Sequence, residues 1–109
     1  VVARVTSVAV KPEDVEASAR LFDESVLPAA RQEEGFVGAL LLWREDGRAI
    51  AIDLCDTIEN LRANERSGFY QAQIAKFADR IVGHPTREVY EVAVARGVEG
   101  ALEVLETAG

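Results

Sequence analysis

The sequence has one cysteine, Cys55, and one histidine, His84, among its 109 residues. A lone thiol excludes an internal disulfide and a cysteine zinc cluster, and a lone imidazole leaves no histidine-based metal constellation. No clustered carboxylate spacing stands in for them, so no metal is expected. A single thiol also suits a reducing compartment, and a cytoplasmic chain is the expectation. Basic residues are scarce. Twelve Lys and Arg face nineteen Asp and Glu, a formal net charge of −7. Phosphate backbones and anionic membrane surfaces both select for positive charge, so neither nucleic acid nor a membrane is an expected partner. The glycines are scattered and build no phosphate-cradling loop. No stretch approaches the roughly 20 apolar residues needed to span a bilayer. Val1 to Val10 is broken by Arg4, Thr6 and Ser7 before Lys11-Pro12-Glu13-Asp14, and does not read as a signal peptide.

Hydrophobic residues make up 49% of the chain and charged residues 28%, the balance of one folded domain with one core. Val1 to Val10 reads as a strand with mixed alternation. Lys11-Pro12-Glu13-Asp14 opens a helix, with Pro in the first turn and acids at the positive end of the dipole. Val15, Ala19, Phe22, Val26 and Ala30 form its apolar stripe, Pro28 is expected to kink or restart it, and Gly35 to end it. Phe36 to Trp43 is a strand that is apolar almost throughout. Glu45-Asp46-Gly47-Arg48 carries the Asp-Gly signal of a tight hairpin. On the returning strand, Ala49 to Cys55, Ile50, Ile52 and Leu54 form one row and Ala49, Ala51, Asp53 and Cys55 the other. Asp56 reads as a helix cap with Glu59 three residues on. Ser67-Gly68 interrupts that helix. A longer one follows, with Tyr70, Ile74, Phe77 and Ile81 on one face and Gly83 as its stop. Thr86 to Val94 is the last strand.

The order βαββαβ predicts an α+β, ferredoxin-like fold: an antiparallel four-stranded sheet with two helices on one face. Residues 1–95 form this domain, and residues 96–109 an extension with Val98, Leu102 and Leu105 on one stripe, expected to pack on the dimer. Two helices cover one face of a sheet, yet the strand from Phe36 to Trp43 is apolar on both. A monomer would expose that surface, so a homodimer is the expected assembly.

Three segments carry a resemblance. Val26-Leu27-Pro28-Ala29-Ala30-Arg31-Gln32-Glu33-Glu34-Gly35-Phe36-Val37-Gly38 resembles the helix-to-strand junction of the antibiotic biosynthesis monooxygenase-like family. Ser67-Gly68-Phe69-Tyr70-Gln71-Ala72-Gln73 resembles its second helix, and Glu88-Val89-Tyr90-Glu91-Val92 its last strand. The likeness runs from about Val2 to Val94. It implies a dimeric α+β barrel and, for activity, oxygenation of aromatic polyketides or quinols without a cofactor. Haem-degrading members use an Asn on the first strand, a Trp ending the third and a His on the second helix. The matching positions hold Thr6, Cys55 and Glu65. Without the axial His the iron lacks its proximal ligand, which argues against haem degradation.

Asp53 is the candidate catalytic base, a carboxylate in mid-strand beside the small Ala49 and Ala51. Facing a covered surface it must be paired or wet, and an arginine across the dimer is the simplest partner. Trp43 and Tyr70 join an apolar body to a hydrogen-bond donor, a useful combination for a phenolic or quinone-like ligand; sheet-edge cover and core packing are their plainer roles. Phe22 and Phe77 are placed to line the same helix–sheet cleft. Cys55 reads as a small buried filler, Tyr90 as a sheet residue, and His84 as a side chain satisfying the last carbonyls of a helix. The central strand has neither the aromatics nor the basic residues of an RNA-recognition sheet. The expected function is cofactor-independent monooxygenation of a small aromatic or quinol-type compound. The alternatives are a non-catalytic small-molecule-binding or sensing dimer, and a purely structural assembly unit.

Overall fold

The computed structural model describes residues 1–98. The strands are β1 (Val2–Ala9), β2 (Phe36–Trp43), β3 (Arg48–Cys55) and β4 (Thr86–Glu91). Between β1 and β2 lie α1 (Val15–Leu21) and α2 (Leu27–Ala30). Between β3 and β4 lie α3 (Ile58–Arg66) and α4 (Phe69–Ala75). The sheet order is β2-β3-β1-β4, with every neighbour antiparallel. This is the ferredoxin-like layout that the element order predicts.

Valine-rich β1 lies at the centre of the sheet, where branched side chains pack well on a pleated surface. Its register with β3 sets Arg4 opposite Asp53 and Thr6 opposite Ala51. Because side chains alternate across a strand, Arg4, Thr6, Ala51 and Asp53 share the helix-covered face. Val5, Ile50 and Ile52 share the other, together with Leu40 and Leu42 of β2. The apolar core between sheet and helices includes Val10, Val15, Phe22, Val26, Leu61 and Tyr70.

Three local features shape the cleft. The first is a π-helical turn over Phe22–Val26, between α1 and α2, where the Leu27 N–H donates to the carbonyl of Phe22 five residues back. Pro28 has no N–H and its ring crowds the carbonyl of Glu24, four residues earlier; the widened turn accommodates both. The expected interruption at Pro28 thus takes the form of a wider turn upstream of it, which keeps Phe22 and Val26 both buried. The second is a bulge in β2. Phe36 pairs with Cys55 but Gly38 with Leu54, so Val37 is the extra residue. The bulge turns Phe36 toward the helices and leaves Val37 exposed. The third is Gly35, at φ +85°, whose carbonyl accepts from the Asp56 N–H at 2.9 Å. A Cβ there would strike the Asp56 carboxylate and Asn60.

Other expectations are corrected. The cap of α3 is Thr57, whose hydroxyl accepts from the Asn60 N–H at 3.1 Å, one residue later than expected. Asp56 instead accepts from the Asn60 side-chain amide at 2.9 Å. Helix α4 stops at Ala75, well before Gly83. Phe77, Ala78 and Arg80 bond three residues back, a tighter winding. Ile81 is therefore not on the helix; it bridges to Val10 beside the sheet. Strand β4 ends at Glu91, short of Val94. The apolar stripe of the extension lies, beyond Val98, outside the described residues.

Candidate functional site

The site is built around Arg4, a charged residue only 6% exposed in the middle of the central strand. Its Nε and Nη2 both donate to Oδ2 of Asp53, at 3.2 and 3.1 Å. Nη1 donates to Asn64 Oδ1 at 3.0 Å and lies 3.5 Å from Glu65 Oε2. The guanidinium carbon sits 4.0 Å from the centroid of the Tyr70 ring, a cation–π contact. Asn64 in turn donates to Glu33 Oε1 at 2.8 Å, and Arg87 of β4 pairs with Glu65 at 3.4 Å. Beside this cluster, Tyr70 Oη and Thr6 Oγ1 share a hydrogen bond of 2.7 Å. A guanidinium taken out of water must meet partners around its whole rim, and three elements, β3, α3 and α4, converge to supply them.

Asp53 is thus paired as its mid-strand position requires, but with Arg4 of the same chain, directly across the β1–β3 ladder, rather than with an arginine across a dimer. Burial pushes the Asp53 carboxyl above its ordinary value of 3.8, while the charge and hydrogen bonds of Arg4 offset part of the rise. Oδ1 accepts no hydrogen bond from the described residues. Asp53 therefore keeps one unengaged oxygen on the wall of the cleft.

Two cavities lie between sheet and helices. The larger, about 80 Å³, is bordered by Arg4, Asp53, Tyr70, Gln73, Phe36 and Phe69. The smaller, about 60 Å³, is bordered by Trp43, Ala49, Leu41, Val15 and Ser18. Phe22, Ala51 and Phe77 line both. The four aromatic residues singled out in the sequence thus fall along one cleft. Tyr70 stands at its polar end, Trp43 at its apolar end, and Phe22 and Phe77 between. Trp43 is half exposed at the hairpin. The small Ala49 and Ala51 leave the space that their sequence pattern promised.

The remaining candidates stand apart from this chemistry. Cys55 borders the larger cavity, and burial raises its thiol above the ordinary 9.0, with the Asp56 charge adding to the rise and backbone bonds opposing it. A protonated thiol is no nucleophile. His84 is exposed between Gly83 and Pro85 and makes no side-chain hydrogen bond to the described residues. The helix it was expected to cap ends nine residues earlier, at Ala75. Tyr90 points from the other sheet face and donates to Glu88 at 2.7 Å. Among the described residues no group of three or more His, Cys, Asp or Glu is arranged to hold a metal, and no helix is long and apolar enough to cross a membrane.

Sequence reasoning missed Arg4, Asn64 and Glu33. The signal for Arg4 was present: a lone charge inside a valine-rich strand, like Asp53 inside its own. Thr6 and Glu65, two positions where the chain departs from haem-degrading proteins, both belong to the polar cluster here.

No family model and no curated protein matches the chain. Solved structures do. A monooxygenase from Streptomyces coelicolor, in complex with nanaomycin D, superposes with a TM-score of 0.71 at 17% identity, over 87% of this chain and 89% of that one. A protein of unknown function from Nitrosomonas europaea gives 0.69 at 23% identity, over 87% and 91%. A Caulobacter crescentus protein provisionally described as an antibiotic biosynthesis monooxygenase gives 0.69 at 17%, over 85% and 90%. At these identities the likeness is one of fold: the chain has the fold of the antibiotic biosynthesis monooxygenase structures.

Proposed function

We propose that this chain is a homodimeric, cofactor-independent monooxygenase acting on a small phenolic or quinol-type compound in the cleft between sheet and helices. One observation carries the reading. Asp53 offers an unengaged carboxylate oxygen, with a raised pKa, on the wall of a cavity whose other lining is mainly aromatic and aliphatic, with Arg4, Asn64 and Gln73 among its polar members. A base poised nearer neutrality in a largely apolar cleft is suited to taking a proton from a phenol. The resulting anion is electron-rich enough to pass an electron to dioxygen, and recombination of the two radicals forms a carbon–oxygen bond. Loss of water from the hydroperoxide then leaves a carbonyl; one oxygen atom stays in the product and the other leaves as water. The guanidinium of Arg4, held on the same wall, stabilises the anion. Glu65 acts as a positioning residue, since it holds Arg4 from outside the cavity lining; Asn64 and Tyr70 hold Arg4 and also border the cavity.

The assembly follows from the uncovered face. Leu42 and Ile50 are exposed there, with Val5, Leu40 and Ile52 half buried around them. A second copy laid face to face would cover this patch, and the likeness of fold supports that arrangement.

The test is oxygen uptake with a single-ring phenol or quinol, such as 1,4-dihydroxybenzene, as substrate. The reading expects protein-dependent uptake that falls by on the order of 10²-fold in Asp53→Asn, the usual contribution of a general base. Identical product mixtures under air and nitrogen would contradict it.

A further inference from the structure

The two cavities differ in what surrounds them. Arg4, Glu33, Glu34 and Asp53 all border the larger one, and no charged residue borders the smaller. The smaller is enclosed by Val8 of β1, Val15 and Ala19 of α1, Leu41 of β2 and Ala49 of β3, and the wall it presents is almost entirely carbon. Phe22, Ala51 and Phe77 line both cavities, so the two phenylalanine rings form the partition between them. Protein interiors are close-packed, and an unfilled volume forfeits dispersion contacts. Three alanines, Ala19, Ala49 and Ala51, leave this volume open, where a larger aliphatic side chain would fill it.

Size and polarity narrow the occupant. The smaller cavity holds about 60 Å³. An apolar cavity that accepts benzene measures about 150 Å³, so an aromatic ring is too large for it. A water molecule is small enough, but a buried water needs two to four polar partners. Among the lining side chains only Ser18 and Trp43 carry a polar group, and Trp43 is half exposed at the hairpin. A very small apolar molecule needs no such partner, and it moves from water into a hydrocarbon wall with a gain in free energy.

We propose that the smaller cavity is a dioxygen site, which stores the gas beside the organic compound held in the larger cavity. Dioxygen is uncharged, apolar and diatomic, and matches the volume and the wall. It reaches the anion formed at Asp53 by crossing the Phe22–Phe77 partition, so both reactants are held in the same cleft before they meet. The purpose of the site rests on the oxygenase reading above; its capacity to bind a gas does not.

The experiment is methyl NMR of the protein under nitrogen, pressurised dioxygen and xenon, repeated with Ala49→Leu and Ala19→Val. Dioxygen is paramagnetic and speeds the relaxation of nearby nuclei, and xenon shifts their resonances. The methyl groups of Val8, Val15 and Ala19 line only the smaller cavity, and those of Val26, Ala30 and Leu61 only the larger. The expected result is a saturable response to both gases in the first group and none beyond the surface background in the second. Each filling variant should abolish the response at Val15; the two lie on different elements, so one that fails to fold leaves the other to decide. With 1,4-dihydroxybenzene as substrate, the same variants should raise KM for dioxygen several-fold and leave kcat at saturating dioxygen unchanged. Equal responses at the two cavities, a response that does not saturate or survives the filling, water cross-peaks at the Val15 and Ala19 methyls, or an unchanged KM in a filled variant would overturn the proposal. A saturable gas response without oxygen uptake on any phenol would leave the site standing and contradict the oxygenase reading alone.

Discussion

The two faces of the central strand are inverted relative to a simple surface protein. On the helix-covered side β1 buries Arg4 and Thr6. On the other side, Val5 neighbours Ile50 and Ile52, and Leu42 and Ile50 stand exposed. Polar groups are kept inside because each has a specific partner: Asp53, Asn64 and Glu65 for Arg4, Tyr70 for Thr6. Apolar groups outside have no comparable local account. The contrast teaches that one face is completed by the chain's own helices, while the other leaves Leu42 and Ile50 uncovered, the face that the proposed dimer would close.

The sharpest way to break the comparison is to remove the hub of the covered face. Arg4→Met leaves Asp53 without its partner and Glu65 with Arg87 alone, and we expect a loss of about 3–5 kcal/mol in urea unfolding. Arg4→Met combined with Asp53→Leu should recover much of it, because the paired removal leaves fewer orphaned charges; a double variant as unstable as the sum of the singles would show that the pair is not a unit. On the open face, Leu42→Glu with Ile50→Glu should weaken association of the chain by about 2 kcal/mol or more, read as a shift of the dimer midpoint in sedimentation. Its effect on the stability of the isolated fold should be small, since both positions are exposed. Tyr70→Phe is a smaller step. It strands Thr6 Oγ1, which has no route to solvent at 2% exposure, and should cost about 1–2 kcal/mol.

The smallest effect is a pH slope. Because the folded pKa of Asp53 lies above its ordinary 3.8, the folded state binds more protons than the unfolded one between those values. The contribution of Asp53 to stability is therefore fully present below 3.8 and declines as pH rises through the raised value. Asp53→Asn should remove that decline, so the difference in unfolding free energy between the two proteins should change across mildly acidic pH and level off above it. A difference that is flat over the whole range would contradict the burial of this carboxylate.

Much of the fold was legible because its signals are local. Asp46-Gly47 closes the β2–β3 hairpin, where the Asp46 carboxylate accepts from the Arg48 N–H at 3.0 Å and Gly47 takes φ +96°. Ser67-Gly68 separates α3 from α4, with Gly68 at φ +85°. The site was half legible. Asp53 announced itself as a charge in an apolar strand, but its partner lies 49 residues away, and only the register of β1 on β3 brings the two together. The bulge at Val37 is likewise a property of pairing, invisible in a run that is apolar at every step. The helical face drawn through Tyr70, Ile74, Phe77 and Ile81 overran its element because Phe77 and Ile81 stay apolar after the helix has tightened and ended. They serve the same cleft from a turn.

The most direct measurement of this account is the mass of the protein in solution at micromolar concentration, by sedimentation equilibrium. The inverted faces predict a particle of two chains. A particle of 11.8 kDa, with the face of Leu42 and Ile50 left open to water, would contradict it.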